Sequence, residues 1–119
     1  MRKIPEKLLK DLLLDSYYHR CCRRNEDCFG RITLEHSVIY GGTQINERWA
    51  IIPECLHHHL GTGLDKRLNE LIAISRMTEA DKKKYPKVDW DMKKKYLEKK
   101  YGKIKDGKTE IRKELPDMQ

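Results

Sequence analysis

Apolar residues recur at helical spacing in three stretches of the chain. In residues 5–14 the leucines share one stripe, lysines and an aspartate lie opposite, and Pro5 suits the first position of a helix. In residues 64–76 leucines and isoleucines again fall three or four positions apart. Asp89 can cap a last helix over residues 90–101, in which lysines surround a narrow apolar side. The pattern therefore predicts three amphipathic helices, and Thr78 with an acidic residue three positions later predicts an N-cap that opens a short turn ended by Pro86.

The middle of the chain has the pattern of a β-hairpin. An apolar, β-branched run at residues 32–34 precedes a turn-rich gap with two glycines, and a second run follows at residues 49–52. Pro53 suits the start of a helix, because its missing N–H needs no partner there. Glu54 would lie in the first turn, where the helix dipole favours a negative charge. We expect an α+β fold: two strands, a helix that carries three histidines in its first turns, and flanking helices at both ends.

Length and composition predict one small domain. The chain has 119 residues, of which 38% are hydrophobic, so its core must be modest. Composition shifts near residue 77: residues 1–76 contain the first helix, the hairpin core and a covering helix, and residues 77–119 form a basic helical extension of the same domain. A core of this size is marginal without a staple, and a metal ion could supply one.

The formal charge of +7 is concentrated near the C-terminus. Residues 81–119 contain 14 Lys and Arg against eight Asp and Glu, a net charge of +6. Such an excess favours a polyanionic partner, most often nucleic acid, although a lysine-rich helix face can also be only a solvated surface. As candidate DNA contacts we select four lysines of the last predicted helix: Lys93, Lys94, Lys99 and Lys100.

The four cysteines favour metal binding over disulfides. The sequence has no run long enough to cross a membrane and no clear secretory signal, so we expect a cytoplasmic protein of a bacterial or phage-infected cell, with no membrane partner and with reduced thiols. Cys55 and His58 have C-x2-H spacing, whereas the earlier cysteines are less regular. The alternative is that the cysteines are small buried hydrophobic residues. We predict a structural Zn²⁺ held by Cys22, Cys28, Cys55 and His58, with Cys21 as a possible substitute for Cys22.

A second cluster could support metal-assisted hydrolysis. Glu35 and His36 lie at the end of the first predicted strand, and His59 lies on the helix that follows the second. Glu35 and His59 can hold one divalent cation, Mg²⁺ or Mn²⁺, which would stabilise charge on a phosphate. A neutral imidazole, with an ordinary pKa of about 6.5, lets His36 take a proton from water. Alone, His36 would more often be a surface or structural histidine.

These residues resemble the HNH, or ββα-metal, nuclease family, in particular small zinc-stabilised members from phages and prophages. The resemblance covers roughly residues 20–76. It implies that His36 is the general base, that Glu35 and His59 bind the catalytic cation, and that His58 is structural. The family's middle asparagine, which braces the loop between the strands, has Asn46 as its nearest candidate. The implied activity is DNA hydrolysis that leaves a 5′-phosphate, with weak sequence preference, in nicking, recombination or packaging.

Two other functions remain open from the sequence. A noncatalytic zinc-containing module could bind nucleic acid and use His36 and His59 only structurally. An interaction protein could dock its basic helix on an acidic partner. The sequence does not decide between a monomer and a homodimer.

Overall fold

The computed structural model describes residues 3–23, 28, 30–56 and 63–104. Its main elements are α1 (Glu6–Leu14), β1 (Ile32–His36), β2 (Ile39–Tyr40), β3 (Thr43–Gln44), β4 (Ile51–Cys55), α2 (Gly63–Ile74), α3 (Glu79–Lys84) and α4 (Trp90–Tyr101), with short 3-10 turns at Ser16–His19 and Arg48–Ala50. The α+β class is therefore confirmed. None of the helices in the described ranges is long and apolar enough to cross a membrane.

The central sheet is the antiparallel pair β1 and β4. Its register places Ile32 opposite Cys55 and His36 opposite Ile51. A second, smaller hairpin, β2 and β3, lies inside the connection and turns at Gly41 and Gly42, with φ of +59° and +82°. Two successive positive φ angles are what a two-residue hairpin turn requires, which explains the paired glycines.

The two faces of the central sheet pack against different partners. On one face Ile51 and Leu34 contact the leucine stripe of α1, where Leu12 is fully buried, and Tyr18 of the first 3-10 turn. On the other face Ile52 packs into the larger core, which is formed mostly by α2, α4 and the loop between the strands. Its buried side chains are Cys22, Val38, Ile45, Trp49, Ala50, Ile52, Leu68, Leu71, Ile72, Ala73, Ile74, Trp90, Leu97 and Ile104.

The predicted last helix and both predicted N-caps are confirmed, and the turn predicted after Thr78 is a short helix, α3. Thr78 accepts from the Asp81 N–H while the Asp81 carboxylate accepts from the Thr78 N–H, so α3 begins with a reciprocal capping box. Asp89 caps α4 by accepting from the Met92 N–H, and α4 ends at Gly102, with φ +91°. The buried face of α4 carries Trp90 and Leu97, as the stripe predicts.

The prediction that Pro53 starts a helix is wrong. Pro53 lies inside β4 opposite Leu34, at a position whose backbone groups point away from β1, so its missing N–H costs no ladder bond. Its carbonyl points outward and accepts from the Cys22 N–H at 2.8 Å. The predicted strand also begins later than expected, because Trp49 and Ala50 belong to the second 3-10 turn.

Candidate metal centre and histidine cleft

Three cysteines converge where the first loop meets the end of β4. The Sγ atoms of Cys21, Cys28 and Cys55 all lie within 4.8 Å of one another, and Cys21 and Cys55 are buried. Thiolates bound to one zinc ion at about 2.3 Å in tetrahedral geometry lie about 3.8 Å apart, which this spacing accommodates. The cluster could therefore hold a metal ion such as zinc.

Backbone contacts fix the two halves of this cluster. The Arg23 N–H donates to Cys21 Sγ at 3.4 Å, which holds that sulfur against the backbone of the first loop. Gly30, two residues after Cys28, has φ +86°, and a Cβ built there would lie 2.8 Å from the Cβ of Leu56. The loop after Cys28 can thus approach the end of β4 only with glycine at this position.

Cys22, the first-choice ligand from the sequence, is not part of the three-cysteine group. It is fully buried in the larger core, and the three-cysteine group contains the named substitute, Cys21, in its place. A hydrogen bond with the Cys21 thiol, together with burial, raises the pKa of the Cys22 thiol far above its ordinary value. Cys22 is therefore a protonated core side chain in this arrangement. The predicted fourth ligand, His58, lies outside the described residues.

A buried polar network lies beside the metal centre. Arg23 donates to the Asn69 side-chain oxygen at 2.5 Å, Asn69 donates to a Glu54 carboxylate oxygen at 2.9 Å, and the same oxygen lies 3.6 Å from Arg23. All three residues are buried. Burial raises the pKa of the Glu54 carboxyl, and the hydrogen bond from Asn69 opposes that rise. The network joins the cysteine loop to β4 and α2, and sequence spacing gives no sign of it.

An open cleft of about 380 Å³ lies at the other end of β1. Glu35 and His36 both contribute to its wall, although their side chains start from opposite faces of the strand. Lining it are Glu35, His36, Ser37, Ile39, Gln44, Lys66, Arg67, Asn69, Glu70 and Lys93. Because Asn69 belongs both to this wall and to the buried network, one residue links the cleft to that network.

The orientation of His36 is set by Asn46. The His36 Nε2 atom lies 2.6 Å from the Asn46 side-chain oxygen, and the Asn46 amide donates to the Lys3 carbonyl at 3.1 Å. Since a carboxamide oxygen only accepts, this pair requires a proton on His36 Nε2, so in the neutral imidazole the lone pair is on Nδ1. His36 is 9% exposed, and its Nδ1 is buried with no hydrogen-bond partner among the described residues.

The predicted DNA-contacting lysines differ in their surroundings. Lys93 lines the cleft and pairs with Glu70 at 2.5 Å, and Arg67 pairs with the same carboxylate at 3.0 Å. Lys99 and Lys100 are exposed, and Lys94 is half-buried. Glu70 was not selected from the sequence, because an acidic residue on an amphipathic helix is usually only solvated.

No protein family, curated protein or solved structure matches this chain. Its chemistry must be argued from the site itself.

The cleft offers three chemical capabilities. The His36 imidazole lies in the wall and can accept a proton at Nδ1 although that atom is buried, Glu35 offers a carboxylate, and Lys66 is an exposed cation at the wall. Together they could bind a phosphate, remove a proton from a nucleophile and hold a divalent cation. The predicted second ligand of that cation, His59, lies outside the described residues, as does His57.

Proposed function

We propose that this protein is a metal-dependent DNA endonuclease of the HNH, or ββα-metal, type, which hydrolyses phosphodiester bonds with weak sequence preference. The observation that carries the proposal is the pairing of His36 with Asn46 at the end of β1, beside Glu35 in an open cleft. His36 and Asn46, which the resemblance implies as general base and middle asparagine, are 10 positions apart in sequence and in direct contact in the fold.

The proposed reaction uses His36 as general base. With its proton on Nε2, the ring accepts a proton from water at Nδ1, the water oxygen attacks phosphorus, and the bond to the 3′ oxygen breaks. A divalent cation held by Glu35 and His59, Mg²⁺ or Mn²⁺, would stabilise the charge on the phosphate and the departing oxygen. A buried ring nitrogen without a partner costs about 1–3 kcal/mol, which favours a water or substrate group at that position.

The cysteine cluster has a structural role in this proposal. Zinc bound by Cys21, Cys28 and Cys55, with His58 as the proposed fourth ligand, would fix the end of β4 and the start of the following segment. His59 directly follows His58, so the same ion would help to position the catalytic cation's ligand. A role in phage or prophage DNA processing is part of the same proposal.

The second candidate function is a noncatalytic zinc module that binds nucleic acid. Two observations favour it: Lys93 and Arg67 both pair with Glu70 in the cleft, and Nδ1 of His36 is shielded from solvent. In that case His36 would serve only to hold Asn46 and the loop between the strands.

A plasmid-nicking assay with zinc-loaded protein and added Mg²⁺ or Mn²⁺ separates the two. We expect metal-dependent nicking, and a loss of roughly 10²- to 10⁴-fold in His36→Ala, the range for removal of a general base. His19→Ala is the matched control, because His19 is exposed and its ring bonds to the Leu13 carbonyl at 2.9 Å, away from the cleft wall. Equal activity in wild type and His36→Ala would exclude the proposed base, and no nicking by any form would favour the noncatalytic module.

A further inference from the structure

The outer face of α4 combines exposed apolar and aromatic side chains with lysines. Met92 and Tyr96 are 66% and 67% exposed, although each is large enough to be expected in a core. Helical geometry places Met92 and Tyr96 about 40° apart, one turn from each other, with Lys99 close to both. Lys95, Lys99 and Lys100 are exposed around them. We call Met92, Tyr96, Lys95, Lys99 and Lys100 the α4 platform.

The charge of the platform is not neutralised within the described part of the chain. Lys95 and Lys99 have no carboxylate within ion-pair distance there, whereas Lys82 and Lys84, on the neighbouring helix α3, are both paired with carboxylates. The acidic residues of α4 lie to one side: Asp91 pairs with Lys82 at 2.7 Å. The helix is therefore polarised, with its positive, aromatic side facing solvent.

The platform adjoins the proposed catalytic cleft. Lys93 lines that cleft and lies on α4 between Met92 and Tyr96 in sequence, about 60° around the helix from Tyr96. A strand of nucleic acid that lies across the platform would thus reach the cleft without leaving α4.

We infer that the α4 platform binds single-stranded DNA, with Tyr96 stacking on an unpaired base and the lysines contacting phosphates. In a duplex each base face is covered by its neighbours, so an exposed ring adds affinity only for unstacked bases. Positive charge alone would bind both forms. The inference rests on the proposed function and extends it, because it makes the substrate class DNA with an unpaired segment, such as a branched or flapped structure.

Fluorescence anisotropy with a labelled oligothymidine and with a labelled duplex of equal length tests this inference. The full chain is used in a His36→Ala background with no added Mg²⁺, so that the probe stays intact and binding is measured apart from cleavage. Tyr96→Ala should weaken oligothymidine binding roughly tenfold and duplex binding less than twofold, and Tyr96→Phe should retain oligothymidine binding. Lys99→Ala is the matched control and should weaken both probes alike.

Three outcomes would overturn the inference. If Tyr96→Ala weakens binding of the oligothymidine and the duplex equally, Tyr96 does not distinguish unpaired bases from paired ones. If it weakens neither, the ring has no role in binding. Self-association of the wild type that disappears in Tyr96→Ala would make the platform a contact between two copies. A chain that binds oligothymidine through Tyr96 but never nicks DNA would retain this inference and lose the nuclease, so the two failures are distinguishable.

Discussion

Gly30 offers a direct test of how the cysteine loop closes. It combines φ +86° with a close approach to Leu56, since an added Cβ would lie 2.8 Å from the Leu56 Cβ. Gly42, in the β2–β3 turn, has nearly the same φ, +82°, but an added Cβ there would meet no described atom within 4 Å. Alanine at the two sites therefore meets the same backbone strain and different packing.

The expected losses follow from that difference. Alanine in the left-handed region costs about 1–2 kcal/mol of stability, and Gly42→Ala should lose only that amount. Gly30→Ala should lose about 1–3 kcal/mol in addition, the usual cost of overpacking, because a Cβ atom attached to the main chain cannot move aside. At about 4 °C per kcal/mol for a chain of this size, Gly30→Ala should melt about 4–12 °C below Gly42→Ala.

Thermal unfolding of the zinc-loaded variants, with urea titration as a second measure, gives both losses. A double-mutant cycle identifies the contact: Leu56→Gly removes the carbon that Gly30→Ala would meet and should recover the difference, whereas Leu56→Ala retains it and should not. Equal destabilisation at Gly30 and Gly42 would refute the reasoning, because the close approach to Leu56 would then have no energetic consequence.

Two further predictions concern the metal centre and the buried network. Cys21→Ser should reduce the zinc bound by the purified protein, as measured by atomic absorption. Cys22→Ala should retain the zinc and lose only about 1–2 kcal/mol of stability from the core. Zinc loss in Cys22→Ala alone would identify Cys22 as the ligand. Glu54→Ala removes the buried carboxylate that pairs with Arg23 and should lower the free energy of unfolding in urea by about 3–5 kcal/mol. Glu79→Ala removes an exposed ion pair and should lower it by under about 1 kcal/mol. Similar costs for the two glutamates would show that the network contributes little.

The helices and their caps could be predicted because their signals are local. Leucine spacing in α1, the Thr78 and Asp81 pair of α3 and the Asp89 cap of α4 each depend on residues within one or two turns. The hairpin was also predicted in outline, since β-branched runs flank a glycine turn. The sequence pattern is enough where the interacting groups are neighbours along the chain.

The candidate site was harder to predict because it depends on distant contacts. Pro53 is compatible with a helix start and with an edge strand, and only the pairing with β1 decides between them. Cys21 and Cys22 are adjacent, so spacing cannot tell which one faces the cluster and which one the core. The contact between Glu54 and Asn69 crosses 15 positions and two element types, so neither residue signals the other.

The outer margin of β4 has a consequence for solubility. An edge strand with free N–H and C=O groups can pair with a strand of another molecule and begin aggregation. Along β4 that route is obstructed: Ile51 donates to the Arg48 carbonyl and accepts from the Tyr18 hydroxyl, while Pro53 has no N–H to offer and its carbonyl is occupied by Cys22. The sheet is thus kept from growing along the β4 edge, because the protein's own loops occupy the positions that a foreign strand would need at Ile51 and Pro53.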